Sequence, residues 1–154
     1  GPVEWGSDAD SRDAILMNPS WVDIRDTETQ LTKAGGKWPN IYQEGQKVFR
    51  WAVFSMGKAA LKALESAGLS VHDIDAFIPH QANMRIIETM AKEMDMPDSV
   101  IIADDIRTNG NTSAASIPLA LDEAMRDGRI QPGQHLLMEG VGGGFTWGAV
   151  LLDL

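Results

Sequence analysis

The sequence predicts an α/β fold in which a mixed sheet is flanked by helices. Two observations lead to this prediction. From Gly45 onward, segments with helical apolar spacing alternate with short apolar runs, and the last two runs are separated by a short glycine-rich link. Strands that alternate with helices need crossover connections, so they form parallel pairs in a sheet covered on both faces. Two strands joined by a short link pair antiparallel, which makes the sheet mixed.

Apolar spacing indicates the individual elements. One stripe of a first helix has steps of four, three, four and four residues, formed by Phe49, Val53, Met56, Ala60 and Leu64. Gly68 follows where a C-terminal cap belongs. Two further helices are predicted at 83–94 and 113–127, and strands at 74–79, 100–103, 135–139 and 145–152.

The first part of the chain has a less regular pattern. Residues 1–43 contain three prolines and a Gly-Gly pair, and they predict one or two short strands joined by loops. The interpretation is one domain over 1–154, with 1–43 as a lead-in segment and 44–154 as the core of a five-stranded sheet. Forty largely irregular residues are unusual in a self-contained domain, so the lead-in is expected to continue or cover part of something larger.

Composition excludes several classes of function. The net charge of −9 argues against nonspecific nucleic-acid binding, which needs a basic surface. No apolar run is long enough to span a bilayer, and the first residues carry no signal-peptide pattern. The chain has no cysteine, which excludes disulfides, thiolate metal sites and a cysteine nucleophile within it. This absence is also what a reducing compartment permits, and a cytoplasmic location is expected.

Two polar residues next to predicted elements are candidates for chemistry. His80 directly follows a strand and precedes a helix, a position where catalytic groups are commonly displayed. The alternative is a histidine that only hydrogen-bonds its turn. Asn111 lies just before a helix, in a run typical of turns and helix caps. The amide and hydroxyl groups of that run can also bind an oxygen anion.

Other motifs leave two readings open. Gly143 lies in a triple-glycine link, which either lets a ligand approach the backbone or simply joins two strands tightly. Arg85 and Lys92 share one helix face. This face is either a solvated surface or a docking site for a phosphate or an acidic partner. The sequence contains no HExxH, EF-hand, Walker or dinucleotide motif, so no metal or nucleotide cofactor is expected.

Three segments together resemble the C-terminal half of β-ketoacyl-acyl carrier protein synthase III. They are 73–89 (DIDAFIPHQANMRIIET), 109–129 (NGNTSAASIPLALDEAMRDGR) and 140–149 (GVGGGFTWGA), and 45–51 (GQKVFRW) fits the preceding helix. PHQAN followed about thirty residues later by GNTSAAS is a highly specific pair. The resemblance covers roughly 44–154. It implies the thiolase fold, in which two similar halves share one active site.

The resemblance implies a role for each candidate residue. The N-terminal half of such an enzyme supplies a cysteine, and the C-terminal half supplies a histidine and an asparagine that match His80 and Asn111. Gly143 is implied as a backbone N–H donor near the cysteine. A pantetheine tunnel is implied at Gly45, Phe49, Ala82 and Asn83. The docking face for the carrier protein is implied at Arg85 and, more weakly, at Lys92.

The implied reaction is a decarboxylative Claisen condensation that initiates fatty acid synthesis. An acyl group passes from coenzyme A to the cysteine, malonyl carrier protein loses carbon dioxide, and the resulting enolate attacks the acyl group. The implied partners are acyl-CoA, acyl carrier protein, the N-terminal half and a second copy in a homodimer. Two alternatives stay open: a related reaction on the same fold, such as a polyketide or quinolone starter condensation, and a non-catalytic interaction half.

Three features depart from the family pattern. Val141 stands where many members carry an aromatic residue near the histidine, and Glu93 stands where a second basic residue can occur. The segment 26–43 is longer than the family's usual connection. The first departure affects the surroundings of His80, and the second affects the docking face.

Overall fold

The computed structural model describes residues 1–26 and 38–154. Its seven strands are β1 (Val3–Ser7), β2 (Ile15–Asn18), β3 (Asn40–Gln43), β4 (Ala76–Pro79), β5 (Ile101–Ile102), β6 (His135–Gly142) and β7 (Thr146–Asp153). Most of the long connection noted in the sequence, residues 27–37, lies outside the described residues.

Within residues 1–26 and 38–154, six α-helices accompany the strands: α1 (Trp21–Asp26), α2 (Gly45–Trp51), α3 (Gly57–Ser66), α4 (Met84–Glu93), α5 (Ile106–Asn109) and α6 (Ser116–Arg126). Short 3-10 turns lie at Ala9–Ala14, Ser113–Ala115 and Gly143–Phe145. None of the helices in the described ranges is long and apolar enough to cross a membrane.

The predicted mixed sheet of five strands is confirmed. Its order is β1-β7-β6-β4-β5. Strand β4 pairs parallel with β5 and β6, whereas β7 pairs antiparallel with β6 and β1. The short link between β6 and β7 therefore produces the expected antiparallel pair. Strand β4 ends at Pro79, opposite Glu139 of β6, while β6 continues to Gly142, and this edge carries the candidate site.

Side chains that alternate along the strands fill two separate cores. Phe77 and Leu137 face α3 and α4 on one side of the sheet. Ile78 and Leu136 face α6 on the other side. Because neighbouring residues of a strand point to opposite faces, a continuous apolar run such as 76–78 serves both cores at once.

The helix predicted from Phe49 to Leu64 contains an irregularity that apolar spacing did not predict. A π-helical turn, Ala52–Met56, separates α2 from α3. Met56 is buried, but Phe54 is 55% exposed. A π turn adds a residue to one turn of the helix and is frequent at functional sites. Its first and last residues, Ala52 and Met56, line the cavity described below.

The lead-in segment is more regular than predicted. Strand β1 completes the main sheet by pairing with β7, and β2 with β3 forms a separate two-stranded sheet. Gly6 permits the first pairing, since a Cβ atom at this position would lie 2.6 Å from Cζ2 of Trp147. The partner of β1 is more than a hundred residues away along the chain, so local pattern alone did not identify it.

Candidate active site

His80 is held in place by contacts on two sides. It follows β4, and its backbone N–H donates to the carbonyl oxygen of Glu139 in β6 at 2.7 Å. Its ring nitrogen Nδ1 lies 2.6 Å from Oγ of Ser116, the first residue of α6. The main chain and the ring are thus both fixed, one by the sheet and the other by the helix.

The surroundings of Ser116 determine which ring nitrogen of His80 carries hydrogen. Ser116 is fully buried, and its Oγ already accepts the backbone N–H of Gln81 at 3.1 Å. Among the described residues, Nδ1 of His80 is the acceptor within reach of the Ser116 hydroxyl hydrogen. Because the Ser116 hydroxyl donates its hydrogen bond to Nδ1, Nδ1 is the acceptor nitrogen, and the neutral ring carries its own hydrogen on Nε2. We therefore assign Nε2–H as a donor that is free to face a ligand.

Burial keeps this imidazole neutral. Desolvation lowers the pKa of His80 below its usual value, because a charged ring loses more hydration than a neutral one. At neutral pH the side chain is consequently a hydrogen-bond donor without a positive charge.

Gln81 ties the His80 turn to the connection that leads to Asn111. Its side chain is fully buried, and Nε2 donates to the carbonyl oxygens of Pro79 at 2.8 Å and Ala103 at 3.3 Å. Its Oε1 accepts the backbone N–H of Ile106 at 3.1 Å. All the polar atoms of this side chain are therefore used, and they connect the ends of β4 and β5 with the start of α5.

Asn111 presents its amide group by using its oxygen locally. Oδ1 accepts the backbone N–H of Ser113 at 2.8 Å, which leaves the NH2 group as the available donor. Ser113 has a φ of +56°, a left-handed conformation that is uncommon for serine and costs free energy. The buried carboxylate of Asp105 supports the same turn by accepting Nδ2 of Asn109 at 2.6 Å.

The glycine link forms a tight, anchored turn. Gly144 has a φ of +72°, which glycine adopts without strain. The next residue, Phe145, is fully buried and stacks on Trp51 of α2 with ring centroids 4.2 Å apart. The backbone of Gly143 is thereby fixed against the helix that forms one wall of the site.

These elements line an open cavity of about 640 Å³. Seven residues singled out in the sequence line it: His80, Asn111, Gly143, Gly45, Phe49, Ala82 and Asn83. Val141 lines it as well, at the position where the family pattern has an aromatic residue. Asn83 also caps α4, since its Oδ1 accepts the N–H of Arg85 at 2.9 Å. The structure thus brings the two candidate catalytic side chains to a shared space.

The two basic candidates lie outside this cavity. The guanidinium of Arg85 sits over the ring of Phe49, 5.0 Å from its centroid, and therefore marks the rim. Lys92 lines a separate shallow pocket further along α4. Glu88 lies between them on the helix but is paired with Arg107 at 3.0 Å. Within the described ranges, no carboxylate lies within 4 Å of the Arg85 or Lys92 side-chain nitrogens.

Three functional candidates were not singled out in the sequence. Ser116 and Gln81 were visible only as members of the two motifs, and their mutual hydrogen bond depends on the folded chain. Glu139 lines the cavity and is 1% exposed. A carboxylate within an apolar strand was the available signal for it. The described residues contain no group of three or more His, Cys, Asp or Glu side chains able to hold a metal ion.

Comparison with known proteins identifies the family. Residues 64–154 match the family described as the C-terminal part of 3-oxoacyl-(acyl-carrier-protein) synthase III. The chain belongs to this family. His80, Asn111, Ser116, Glu139 and Gly143 all fall within the synthase III match, whereas Gly45 and Phe49 precede it.

Individual synthase III relatives match along the whole chain. A β-ketoacyl-(acyl-carrier-protein) synthase III from Streptomyces coelicolor is 48% identical over 100% of this chain and 46% of its own length. A mycobacterial enzyme of this name from Mycobacterium avium is 42% identical, over 100% and 44%. The chain therefore spans less than half the length of these relatives.

Solved structures share the fold. The priming β-ketosynthase of a polyketide biosynthetic pathway has a TM-score of 0.90 and 39% identity, covering 100% of this chain and 44% of that one. The synthase III of Aquifex aeolicus has a TM-score of 0.81 and 34% identity, covering 99% and 43%. The thiolase-like half that the sequence predicted is thus confirmed.

The assignment of the Nε2–H tautomer makes a prediction about Ser116. Replacing Ser116 with Ala removes the donor to Nδ1, so the preference of His80 for Nε2–H should be lost or reduced. Nitrogen-15 NMR of the labelled imidazole measures this directly. Ser116→Thr, which keeps a hydroxyl, should restore the preference, and the exposed control Ser99→Ala should not alter it. Unchanged ring-nitrogen shifts in Ser116→Ala would contradict the assignment.

Proposed function

We propose that this chain is the catalytic C-terminal half of a β-ketoacyl-acyl carrier protein synthase III. The proposed reaction joins an acyl group from acyl-CoA to malonyl-acyl carrier protein, with release of carbon dioxide and coenzyme A, and it initiates fatty acid synthesis. One observation carries this proposal: His80 and Asn111 line the same cavity with a neutral donor available on each. We infer a cytoplasmic location, where a reducing environment would keep the catalytic cysteine of the complete enzyme as a thiol.

Two neutral donors suit decarboxylation of a malonyl thioester. The bond between the carboxylate and the α-carbon breaks, carbon dioxide leaves, and the electron pair forms an enolate with negative charge on the thioester oxygen. Nε2–H of His80 and the NH2 of Asn111 would hold that oxygen as its charge grows. Preorganised donors of this kind are each worth about 3–4 kcal/mol of transition-state stabilisation. No proton has to be removed from the substrate.

The enolate carbon then attacks an acyl group carried as a thioester on a cysteine. The carbonyl oxygen of that acyl group becomes negative, and the backbone N–H of Gly143 is proposed to hold it. The cysteine sulfur leaves as the β-ketoacyl product forms, still attached to the carrier protein. Since this chain contains no cysteine, the nucleophile has to come from the N-terminal half.

The exposed apolar residues of helix α6 support the proposal that an N-terminal half is a partner. Ala120 and Ala124 of this helix are buried against the sheet. On the remainder of its surface, Leu119 and Met125 are 42% and 43% exposed. A surface helix normally has one apolar stripe, so apolar residues outside that stripe suit a helix packed between two layers. A homodimer of the complete enzyme is also inferred.

The position of Arg85 supports docking of an acyl carrier protein. Its guanidinium covers Phe49 at the rim of the cavity, where a pantetheine arm bound along Gly45, Ala82 and Asn83 would emerge. Lys92 extends the basic face along the same helix. The net charge of −9 opposes an acidic partner over the whole chain, so docking would depend on this local positive charge.

A second candidate function is a priming condensation in polyketide synthesis. Its support is the TM-score of 0.90 and 39% identity to a priming β-ketosynthase. The half described here holds the proposed decarboxylation residues, which both functions use. Profiling the complete enzyme with a panel of acyl-CoA primers and carrier proteins separates the two candidates.

Substitution of either donor residue should slow decarboxylation strongly in the complete enzyme. His80→Ala and Asn111→Ala are each expected to lower the rate of carbon dioxide release about 100- to 1,000-fold, since each removes one donor from the enolate oxygen. Transfer of the acyl group to the cysteine should continue, because neither residue is the nucleophile. Release of carbon dioxide and labelling of the enzyme by radioactive acyl-CoA measure the two steps separately.

His72→Ala is the matched control for His80→Ala, because His72 is exposed and does not line the cavity. It should retain both steps. Carbon dioxide release at the wild-type rate in His80→Ala or Asn111→Ala would refute the proposed function.

Loss of the basic rim should affect binding of the carrier protein more than chemistry. Arg85→Ala is expected to raise KM for malonyl carrier protein about tenfold while kcat changes little, and the effect should shrink at high salt. Malonyl-CoA, which lacks the protein, should be processed as by the wild type. Lys58→Ala on α3 is the control, since Lys58 is an exposed basic residue that does not line the cavity. Equal KM values for Arg85→Ala and wild type would contradict the docking site.

A further inference from the structure

Glu139 is a buried carboxyl group that the proposed mechanism does not use. It lies on β6 opposite Pro79 of β4 and Ala149 of β7. By strand alternation its side chain shares the face of Leu137 and Val141, the face that forms the cavity wall. The residue is 1% exposed.

Among the described residues that line the cavity, none carries a positive charge able to compensate this group. The elements packed around it present apolar side chains to the cavity. These are Ala52 and Met56 from the π turn, and Ile87 and Met90 from α4. Of the described residues that line the cavity, His80 and Glu139 are the titratable ones. Neither carboxyl oxygen of Glu139 has a hydrogen-bond partner among the described residues. An ionised carboxylate here would be unpaired in an apolar environment, which is strongly unfavourable.

The protonated form is therefore the stable one at neutral pH. Burial raises the pKa of Glu139 to about 8, because desolvation penalises the carboxylate and not the acid. Burial lowers the pKa of His80 for the corresponding reason. Both titratable groups of the cavity are then uncharged together.

We propose that Glu139 acts as a carboxylic acid that has to stay protonated for the cavity to admit a substrate carboxylate and stabilise an enolate. This role rests on the proposed function, since it concerns a malonyl thioester. Glu139 is a positioning residue, whose effect passes through the charge of the cavity and through His80. Its backbone carbonyl also holds the N–H of His80 at 2.7 Å.

Ionisation of Glu139 would act against decarboxylation in two ways. A carboxylate in the cavity wall repels both the malonyl carboxylate and the negative oxygen that forms from it, with little screening by solvent. It also favours a proton on His80, which would replace the neutral Nε2–H donor by an imidazolium. The neutral acid has neither effect and still offers one O–H donor.

The test compares the pH dependence of decarboxylation in the complete wild-type enzyme and in Glu139→Gln. The wild-type rate should fall about tenfold per pH unit above about pH 8. Glu139→Gln cannot ionise, so its rate should be somewhat lower near pH 7, by less than about tenfold, and should lack the alkaline fall. Glu65→Gln, which changes an exposed glutamate on α3, should keep the wild-type profile. The same alkaline fall in Glu139→Gln and wild type would overturn the proposal.

A second measurement, the free energy of unfolding against pH, separates this proposal from the proposed function. Because folding raises the pKa of Glu139, its carboxyl group contributes to the free energy of unfolding. The contribution is fully present below the unfolded pKa of about 4.5 and is lost as the pH rises to about 8. Wild type should lose this stability relative to Glu139→Gln. Equal pH dependence in both would overturn the protonated state of Glu139. If the predicted difference in stability is found but neither wild type nor Glu139→Gln decarboxylates the malonyl thioester, the proposed function is refuted instead.

Discussion

The 2.6 Å contact between Ser116 Oγ and His80 Nδ1 joins two parts of the chain that are thirty-six residues apart. One end lies on the turn after β4, and the other lies at the start of α6, directly after the turn that carries Asn111. Gln81 reinforces the contact, because its side chain bonds to the main chain of Pro79, next to His80, and of Ile106 at the start of α5. The relative position of imidazole and carboxamide therefore depends on buried, fully paired side chains, which are costly to disturb.

Burial also determines the charge state of the cavity. An apolar wall formed by the π turn, α4 and β6 favours neutral histidine and neutral carboxylic acid alike. A neutral histidine donor stabilises a negative oxygen without supplying a proton that would quench the enolate. The same wall that buries Met56 and Met90 in the core thus sets the chemistry of His80 and Glu139. Packing and reactivity cannot be altered independently here.

Much of the fold was predictable because its signals are local. Spacing, capping and the glycine link identified the longer helices and the strands of the core, but not the short helix α5 or the π turn. The motifs containing His80 and Asn111 pointed to two side chains that line one cavity. The pairing of β1 was missed, since it depends on a strand far along the chain. The roles of Ser116 and Glu139 were also missed. Whether a buried polar group finds a partner depends on tertiary contacts, and no periodicity in sequence records them.

In the proposed mechanism the side chains of His80 and Asn111 converge on one oxygen. A crystal structure of the complete enzyme with an unreactive malonyl thioester analogue would show whether they do. Nε2 of His80 and the amide nitrogen of Asn111 should both lie about 3 Å from the thioester oxygen of the analogue, with Ser116 still bonded to Nδ1. A thioester oxygen bound by other groups, with either nitrogen turned away from it, would contradict the account.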